Sequence, residues 1–430
     1  MSKRNNSIIS LFSGAMGLDL GLEKAGFKTR VAVETNKTAA ETINANKKSL
    51  PVINASIKDV STEYILKKAK LAVGEATIVS GGPCCQSFST VGKRGSLSDP
   101  RGGLFMDLCR VVREAQPRFF IMENVKGLLS AAIKHRPLDE RGSGFPPLSP
   151  EEELGSAFKV ILKELANLKY YVTYSLVNAA DYGTPQTRHR VIIIGSRDGE
   201  NIFIPEATHI KNGNNGIPKW GTLKDALWGV KSKEWVSFSE KKLKYLKKLK
   251  QGENWTALHK RSQRIALGAA FESWGGRKGF YRRLSWSKPS PSLTTAPDGN
   301  ATMLCHPTKD RPLSVEEYAR LQEFPAGYLF NGSTREKYTM IGNAVPLNIG
   351  SAIGKMLKAT ILDTEENGLP HDHEQRKGRI QCGDTVLEKR LKNRSRTQLP
   401  PLSHRLNSDP IAARQWIAKV GKSIGTSLYR

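Results

Sequence analysis

Short apolar runs alternate along the first half of the chain with longer stretches in which apolar residues recur at helical spacing. "SIISLF" at 7 to 12 gives way to a glycine-bearing turn, "SGAMG". Next comes "LDLGLEKAG", whose Leu18, Leu20, Leu22 and Ala25 form part of an apolar helix face ended by Gly26. The strand pattern returns at 30 to 34, 76 to 80, 118 to 123, 172 to 177 and 190 to 195, with helices predicted near 103 to 115 and 154 to 169. Continuous β-branched runs separated by helices predict an α/β fold, a doubly wound and mainly parallel sheet covered on both faces. Residues 1 to 195 therefore read as one domain.

Past residue 196 the pattern breaks. "KNGNNGIPKW", a lysine run at 241 to 250 and "WGGRKGFYRRLSW" mix glycine, aromatic and basic residues without sustained period, which predicts a second, smaller, loop-rich domain over 196 to 334. "SVEEYARLQE" starts a helix with a capping box, Ser314 and Glu317, ahead of Pro325. A further helix is expected at 348 to 362, and residues 335 to 362 complete the first domain. Residues 363 to 430 read as a basic, flexible tail.

Charge then narrows the partner. Lysine and arginine total 67 against 40 aspartate and glutamate, a net charge of +27, which suits a polyanion and makes nucleic acid the first candidate. No apolar run approaches the roughly 20 residues of a membrane span. The start "MSKRNNSIIS" lacks a secretory core and cleavage site, so a cytoplasmic, membrane-free protein is expected. Five scattered cysteines, Cys84, Cys85, Cys109, Cys305 and Cys382, predict free thiols rather than a disulfide framework.

Chemistry concentrates at the ends of the predicted strands, where doubly wound sheets bind their ligands. Gly14, Gly17 and Gly21 allow close approach after the first strand, without the dinucleotide spacing G-x-G-x-x-G, and Glu34 ends the second, where a carboxylate accepts from ribose hydroxyls. "GGPCCQSFS" sets Cys84 and Cys85 past the strand at 76 to 80. No further cysteine or histidine stands at ligand spacing, so no metal is expected. Adjacent thiols bridge only with strain, which leaves a nucleophile or a small buried hydrophobe. Glu123 and Asn124 end a strand, where a carboxylate beside an apolar wall can have its pKa raised and serve as an acid. "GTPQTRHRVIIIG" sends Gln186, Arg188 and Arg190 toward one side of a strand.

The order of six segments, "LFSGAMGLDLGLEKAGF", "GGPCCQSFS", "ENV", "QTRHR", "RPLSVEEYARLQEFP" and "GNAVP", resembles the DNA (cytosine-5)-methyltransferases over residues 8 to 195 and about 305 to 360. The resemblance implies a Rossmann-like S-adenosyl-L-methionine-dependent methyltransferase domain and a small target-recognition domain between "QTRHR" and "RPLS". It implies a bacterial modification enzyme, monomeric and nucleoid-associated, paired with a restriction endonuclease acting separately on the same site of duplex DNA. Other readings on the same fold are a transfer-RNA cytosine-5 methyltransferase and a non-catalytic DNA-binding relative.

By resemblance the cysteine before the glutamine is the nucleophile, so Cys85 attacks carbon 6 of a flipped-out cytosine, with Glu123 at N3, Arg188 at O2 and Arg190 supporting the pocket. Cys84 stands where the family usually has proline. Phe12 is implied to stack on adenine, with Ser13, Gly14 and Gly17 beside the methionine moiety, Glu34 on the ribose, and Leu18, Ser56, Ile57, Leu104, Asn343 and Val345 lining the cofactor pocket. Ser56 replaces a usual acid, and Asp59 is the alternative. DNA contacts are implied for Gln86, Ser87 and Gln186, for Lys93, Arg94 and Arg101 in a closing loop, and for Arg277, Lys278, Arg282 and Arg283 in the recognition loops.

Overall fold

The computed structural model describes residues 6–83, 103–137, 140–142, 144–214, 216–272 and 277–383. In chain order the first half runs β1 Ser7–Leu11, α1 Gly17–Lys24, β2 Lys28–Val33, α2 Lys37–Asn46, β3 Val52–Ile53, α3 Thr62–Ala69, β4 Ile78–Gly81, α4 Leu104–Ala115, β5 Phe119–Val125, α5 Ser156–Asn167, β6 Tyr171–Asn178, β7 Gln186–Thr187 and β8 His189–Ser196. The second half adds α6 Leu223–Leu227, α7 Glu240–Leu246, α8 Lys260–Leu267, β9 Ser290–Pro291, α9 Val315–Leu321, α10 Thr334–Asn343, α11 Leu347–Asn367, α12 His373–Arg376 and β10 Ile380–Cys382.

Eight strands form one sheet in the order β10-β6-β8-β5-β4-β1-β2-β3. The pairings are parallel except that β8 runs antiparallel to both β5 and β6. The expected mainly parallel, doubly wound sheet is therefore present. The strands are buried along nearly their whole length, which is why they read as apolar runs rather than alternations. One face packs on α3, α4 and α5 through residues such as Ile65, Val112 and Ile161. The other packs on α1 and α11 through Leu22, Ile349, Ile353 and Leu357.

Helices α1 and α11 meet along a glycine seam. A side chain at Gly21 would lie 2.2 Å from the Leu347 carbonyl, and one at Gly350 2.5 Å from the Leu18 carbonyl. Only hydrogen at these positions lets the two backbones touch, which fixes the last long helix onto the first.

The second half holds short helices, isolated bridges and a separate small core around Tyr245, Leu246, Tyr281 and Met303. The expected boundary at 363 moves: residues up to Asn367 continue α11, and Ile380–Cys382 adds an edge strand to β6. The tail carries its own pairing groups: Val172 N donates to Arg379 O at 2.9 Å, and Tyr171 Oη to Gln381 Oε1 at 2.5 Å. Among the described residues no helix is long and apolar enough to cross a membrane.

Candidate active site

The carboxyl ends of β1, β2, β4 and β5 open onto one cavity of about 1590 Å³ that also reaches β8, the 278–282 and 290–302 segments and the end of α10. Phe12, Ser13, Gly14, Gly17, Leu18, Glu34, Ser56, Ile57, Leu104, Asn343 and Val345 all line it. The turn after β1 takes left-handed backbone at Phe12 (φ 54°), Gly14 (φ 52°) and Met16 (φ 63°). It bends the chain away from the sheet and presents the Phe12 ring. Gly17 is obligatory, because a side chain there would approach the Val345 carbonyl to 2.3 Å.

Glu34, buried just past the end of β2, accepts from Gly14 N at 2.7 Å and Asn36 N at 2.8 Å, so its carboxylate ties the turn after β1 to the turn after β2. Ser56 caps the short turn Ile57–Asp59 through Lys58 N. Asp59 is exposed and does not line the cavity, so Ser56 and Ile57 are the residues placed there. This wall combines an aromatic ring, a carboxylate, backbone amides and aliphatic side chains, a donor set that fits a nucleoside carrying an amino-acid arm. Gly14, on the same wall, has no atom within 4 Å of where a side chain would begin, so the space beside it is open.

On the other side of the cavity, Glu123 lies two residues before the end of β5. Its Oε1 lies 2.5 Å from Arg190 Nε, and both side chains are largely buried. Register explains the pair, because β8 runs antiparallel to β5 with Val125 opposite Arg190 and Glu123 opposite Ile192. Arg190 also donates to the His189 carbonyl at 2.8 Å. A side chain at Gly82 would stand 2.9 Å from Glu123 Oε2, and Asn124 Nδ2 reaches the Pro83 carbonyl at 3.4 Å. The "GGP" turn is thereby held against the carboxylate. His189 and Lys126 share the rim. Burial and the neighbouring Lys126 and Arg190 push the His189 imidazole down to about 4, so it stands neutral near pH 7.

Three expected site residues are buried, Arg188 while still lining the cavity and Gln186 and Arg283 away from it. Arg188 is fully buried, donating from Nη2 to Gly342 O at 2.7 Å and from Nη1 to Leu293 O at 2.9 Å. Burial and Arg190 hold its pKa well below the ordinary arginine value. Its guanidinium fastens two distant segments of the cavity wall, and Arg190 is the arginine paired with Glu123. Gln186, expected on DNA, has no exposed surface: Nε2 donates to Gln322 Oε1 at 2.9 Å and Oε1 accepts from Leu293 N at 2.9 Å. Arg283, also expected on DNA, is buried with its guanidinium on Leu246 O, His306 O, Lys309 O and Asp310. For Gln186 and Arg188 strand alternation named a shared face, but another segment covers it.

Lys278 and Arg282 do line the cavity, with Arg282 Nε held by the Met303 carbonyl at 3.1 Å. Burial brings the Arg282 guanidinium down to about 10. Cys84, Cys85, Gln86, Ser87, Lys93, Arg94 and Arg101, and the side chain of Arg277, lie outside the described residues.

Asp19 is a further site residue that the sequence reading missed. It lines the cavity, is buried, and accepts from Ser10 Oγ and Ser80 Oγ, each at 2.8 Å. It thereby locks together the ends of β1 and β4 from which the cofactor and cysteine loops spring. Burial, only partly offset by the two serines, pushes its carboxyl up to about 6. The signal was visible as a lone carboxylate among the leucines of "LDLGL".

Comparison with known proteins agrees with this geometry. Residues 6–359 match the family profile of C-5 cytosine-specific DNA methylases. The chain is 34% identical over 357 residues to the Type II methyltransferase M.Sau96I of Staphylococcus aureus, covering 82% of this chain and 76% of that protein. It is 33% identical over 362 residues to M.Eco47II of Escherichia coli, covering 81% and 78%. A crystal structure described as a DNA modification methyltransferase encoded within an Escherichia coli prophage superposes with a TM-score of 0.56 at 25% identity, covering 83% of this chain and 99% of that one. The chain belongs to the C-5 cytosine-specific DNA methylases. Its activity is methyl transfer to carbon 5 of cytosine in DNA, and enzymes of the family draw the methyl group from S-adenosylmethionine.

Proposed function

We propose that this enzyme is the sequence-specific modification methyltransferase of a Type II restriction-modification system, acting on a cytosine flipped out of duplex DNA through a covalent bond from Cys85. The observation that carries the reading is the Glu123–Arg190 pair, which lies beside Gly82 and Pro83 on the same cavity as the nucleoside-shaped wall. In the sequence Cys85 follows Pro83 by two residues.

The chemistry follows from cytosine, whose carbon 5 is a poor nucleophile. Addition of the Cys85 thiolate to carbon 6 opens the 5,6 double bond and places electron density on carbon 5. Glu123 engages N3, where that density would otherwise accumulate. Arg190, beside it, takes O2, while Arg188 keeps the Leu293 and Gly342 walls in position. S-adenosylmethionine, held by Phe12, Gly14, Gly17, Glu34, Ser56, Ile57 and Val345, supplies the methyl group as a cation equivalent. Loss of the carbon 5 proton to water then expels the thiolate and restores the double bond. A stacked base cannot present carbon 6 to sulfur, so the nucleotide must leave the helix, at a cost of a few kcal/mol. Lys278 and Arg282 on the cavity, with Lys126 on the rim, suit the flanking phosphates.

The test is labelled methyl transfer to duplex DNA and to transfer RNA. Wild type and Cys84→Ala are expected to methylate the duplex, while Cys85→Ala falls at least about 1000-fold. Duplex containing 5-fluorocytosine at the modified position is expected to form a stable adduct in the presence of the methyl donor. Transfer to RNA alone, or an adduct retained in Cys85→Ala, would overturn the proposal.

A further inference from the structure

Two segments of the recognition half form the cavity wall opposite the sheet, residues 278–282 and 294–302. Thr294, Thr295, Ala296, Ala301 and Thr302 line the cavity from the second segment, and Lys278, Gly279 and Arg282 from the first. The two are bound to each other. Met303 N donates to Gly279 O at 3.1 Å, Arg282 Nε donates to Met303 O at 3.1 Å, and a side chain at Gly279 would meet the Ala301 carbonyl at 1.9 Å. Whatever sets the position of 294–302 therefore also sets that of Lys278 and Arg282.

Asp298, in the middle of that segment, is joined to both halves of the molecule. Its carboxylate takes a bidentate pair from Arg335 of α10, Nη1 to Oδ1 at 2.6 Å and Nη2 to Oδ2 at 2.7 Å. Its main-chain carbonyl accepts from Lys242 Nζ of α7 at 2.7 Å. The two anchors have different foundations. Helix α10 belongs to the catalytic frame: Glu336 takes a hydrogen bond from Thr38 of α2, and Gly342 at its far end is held by Arg188. Helix α7 is rooted in the small recognition core through Tyr245 and Leu246. Asp298 thus sits where the recognition core, the cavity-lining segments and the catalytic frame converge.

Charge makes the arrangement informative. In a chain of net +27 facing a polyanion, an unpaired carboxylate at this wall would repel phosphates. Pairing with Arg335 removes the repulsion and leaves a geometric role. Planar, two-point Arg–carboxylate contacts fix direction as well as distance. The Arg335 side chain is 56% exposed, so the pair contributes little to global stability. Its effect belongs in placement.

We propose that Asp298, clamped by Arg335 and Lys242, is a positioning residue for target recognition: it sets the two recognition segments over the cavity and so governs discrimination between the methylated site and near-cognate sequences. This rests on the duplex-DNA reading above. The experiment compares wild type, Arg335→Ala, Asp298→Ala and the charge swap Asp298→Arg with Arg335→Asp. The substrates are the duplex site found methylated in cells expressing the wild type and the same duplex with one base pair changed. Each single variant is expected to raise KM for the cognate duplex and to lower cognate-to-altered discrimination about 10-fold, the size of one weakened base-pair contact. Turnover at saturating DNA should stay within about twofold, with thermal midpoints close to wild type, and the swap should recover much of the discrimination. Wild-type discrimination and KM in Arg335→Ala would overturn the proposal. So would a parallel fall of turnover and thermal midpoint with discrimination intact, or a swap no better than its parents. A wild type inactive on every duplex would overturn the underlying reading instead, and the proposal with it.

Discussion

The sheet half and the recognition half, so called for the target reading proposed above, solve the same packing problem by opposite means. In the sheet half the strands bury Ile, Val, Leu and Phe almost completely, and the cavity-lining carboxylates Asp19, Glu34 and Glu123 stand beside their carboxyl ends. In the recognition half much of the order comes from side chains that hold main-chain carbonyls: Arg283 on Leu246, His306 and Lys309, and Lys242 on Asp298. Arg188 and Gln186 carry the same device to the junction between the halves, on the Leu293 and Leu321 carbonyls. An apolar core is indifferent to small changes of sequence of similar volume, whereas a carbonyl network demands a particular donor at a particular distance. The lesson is that the first construction suits chemistry held constant, and the second suits a surface whose details define a target.

Substitutions in the two halves should separate along that line. The largest effect is expected at Glu123→Gln, which keeps shape and removes charge beside Arg190. Turnover should fall by roughly 100- to 10,000-fold while gel-shift affinity for duplex DNA is retained; equal loss of both would place Glu123 in binding. In the recognition half, Arg283→Met should strand several buried acceptors and destabilise the fold by about 3 kcal/mol, read as a lower denaturant midpoint. Lys278→Ala, on the exposed wall, should leave that midpoint alone and reduce the salt dependence of DNA binding by about one ionic contact. If the two behave alike, the distinction between buried tie and exposed contact is wrong.

The smallest effect is a pH signature at Asp19. Its carboxyl is raised to about 6 in the folded chain from an ordinary 3.8. Between those values the unfolded chain has released a proton that the folded chain keeps, so stability drops as pH rises through that window and is flat on either side. Urea midpoints from pH 4 to 7 should show wild type losing on the order of 1–3 kcal/mol relative to Asp19→Asn. A constant difference across the window would mean that Asp19 is not buried as described.

Apolar runs foretold β1, β2, β4, β5, β6 and β8 and helices α4 and α5, because strands buried on both faces have little freedom of composition. Direction was hidden, since periodicity is the same for a parallel and an antiparallel strand, and β8 turned out antiparallel to its neighbours. The edge strand Ile380–Cys382 was missed because it is short and half-exposed and reads as part of a polar tail. Residues at strand ends, such as Phe12, Glu34 and Glu123, were legible because the fold class fixes where ligands approach. Gln186, Arg188 and Arg283 were not, because their roles depend on segments about 20 to 155 residues away in the chain.

The glycine seam between α1 and α11 bears on how the protein is made. The helix that covers Ile8, Leu18 and Leu22 is encoded after the recognition region, so during synthesis one face of the sheet stays bare until residues near 350 leave the ribosome. Methyl-transfer activity is thereby deferred until the helix encoded after residue 346 has emerged.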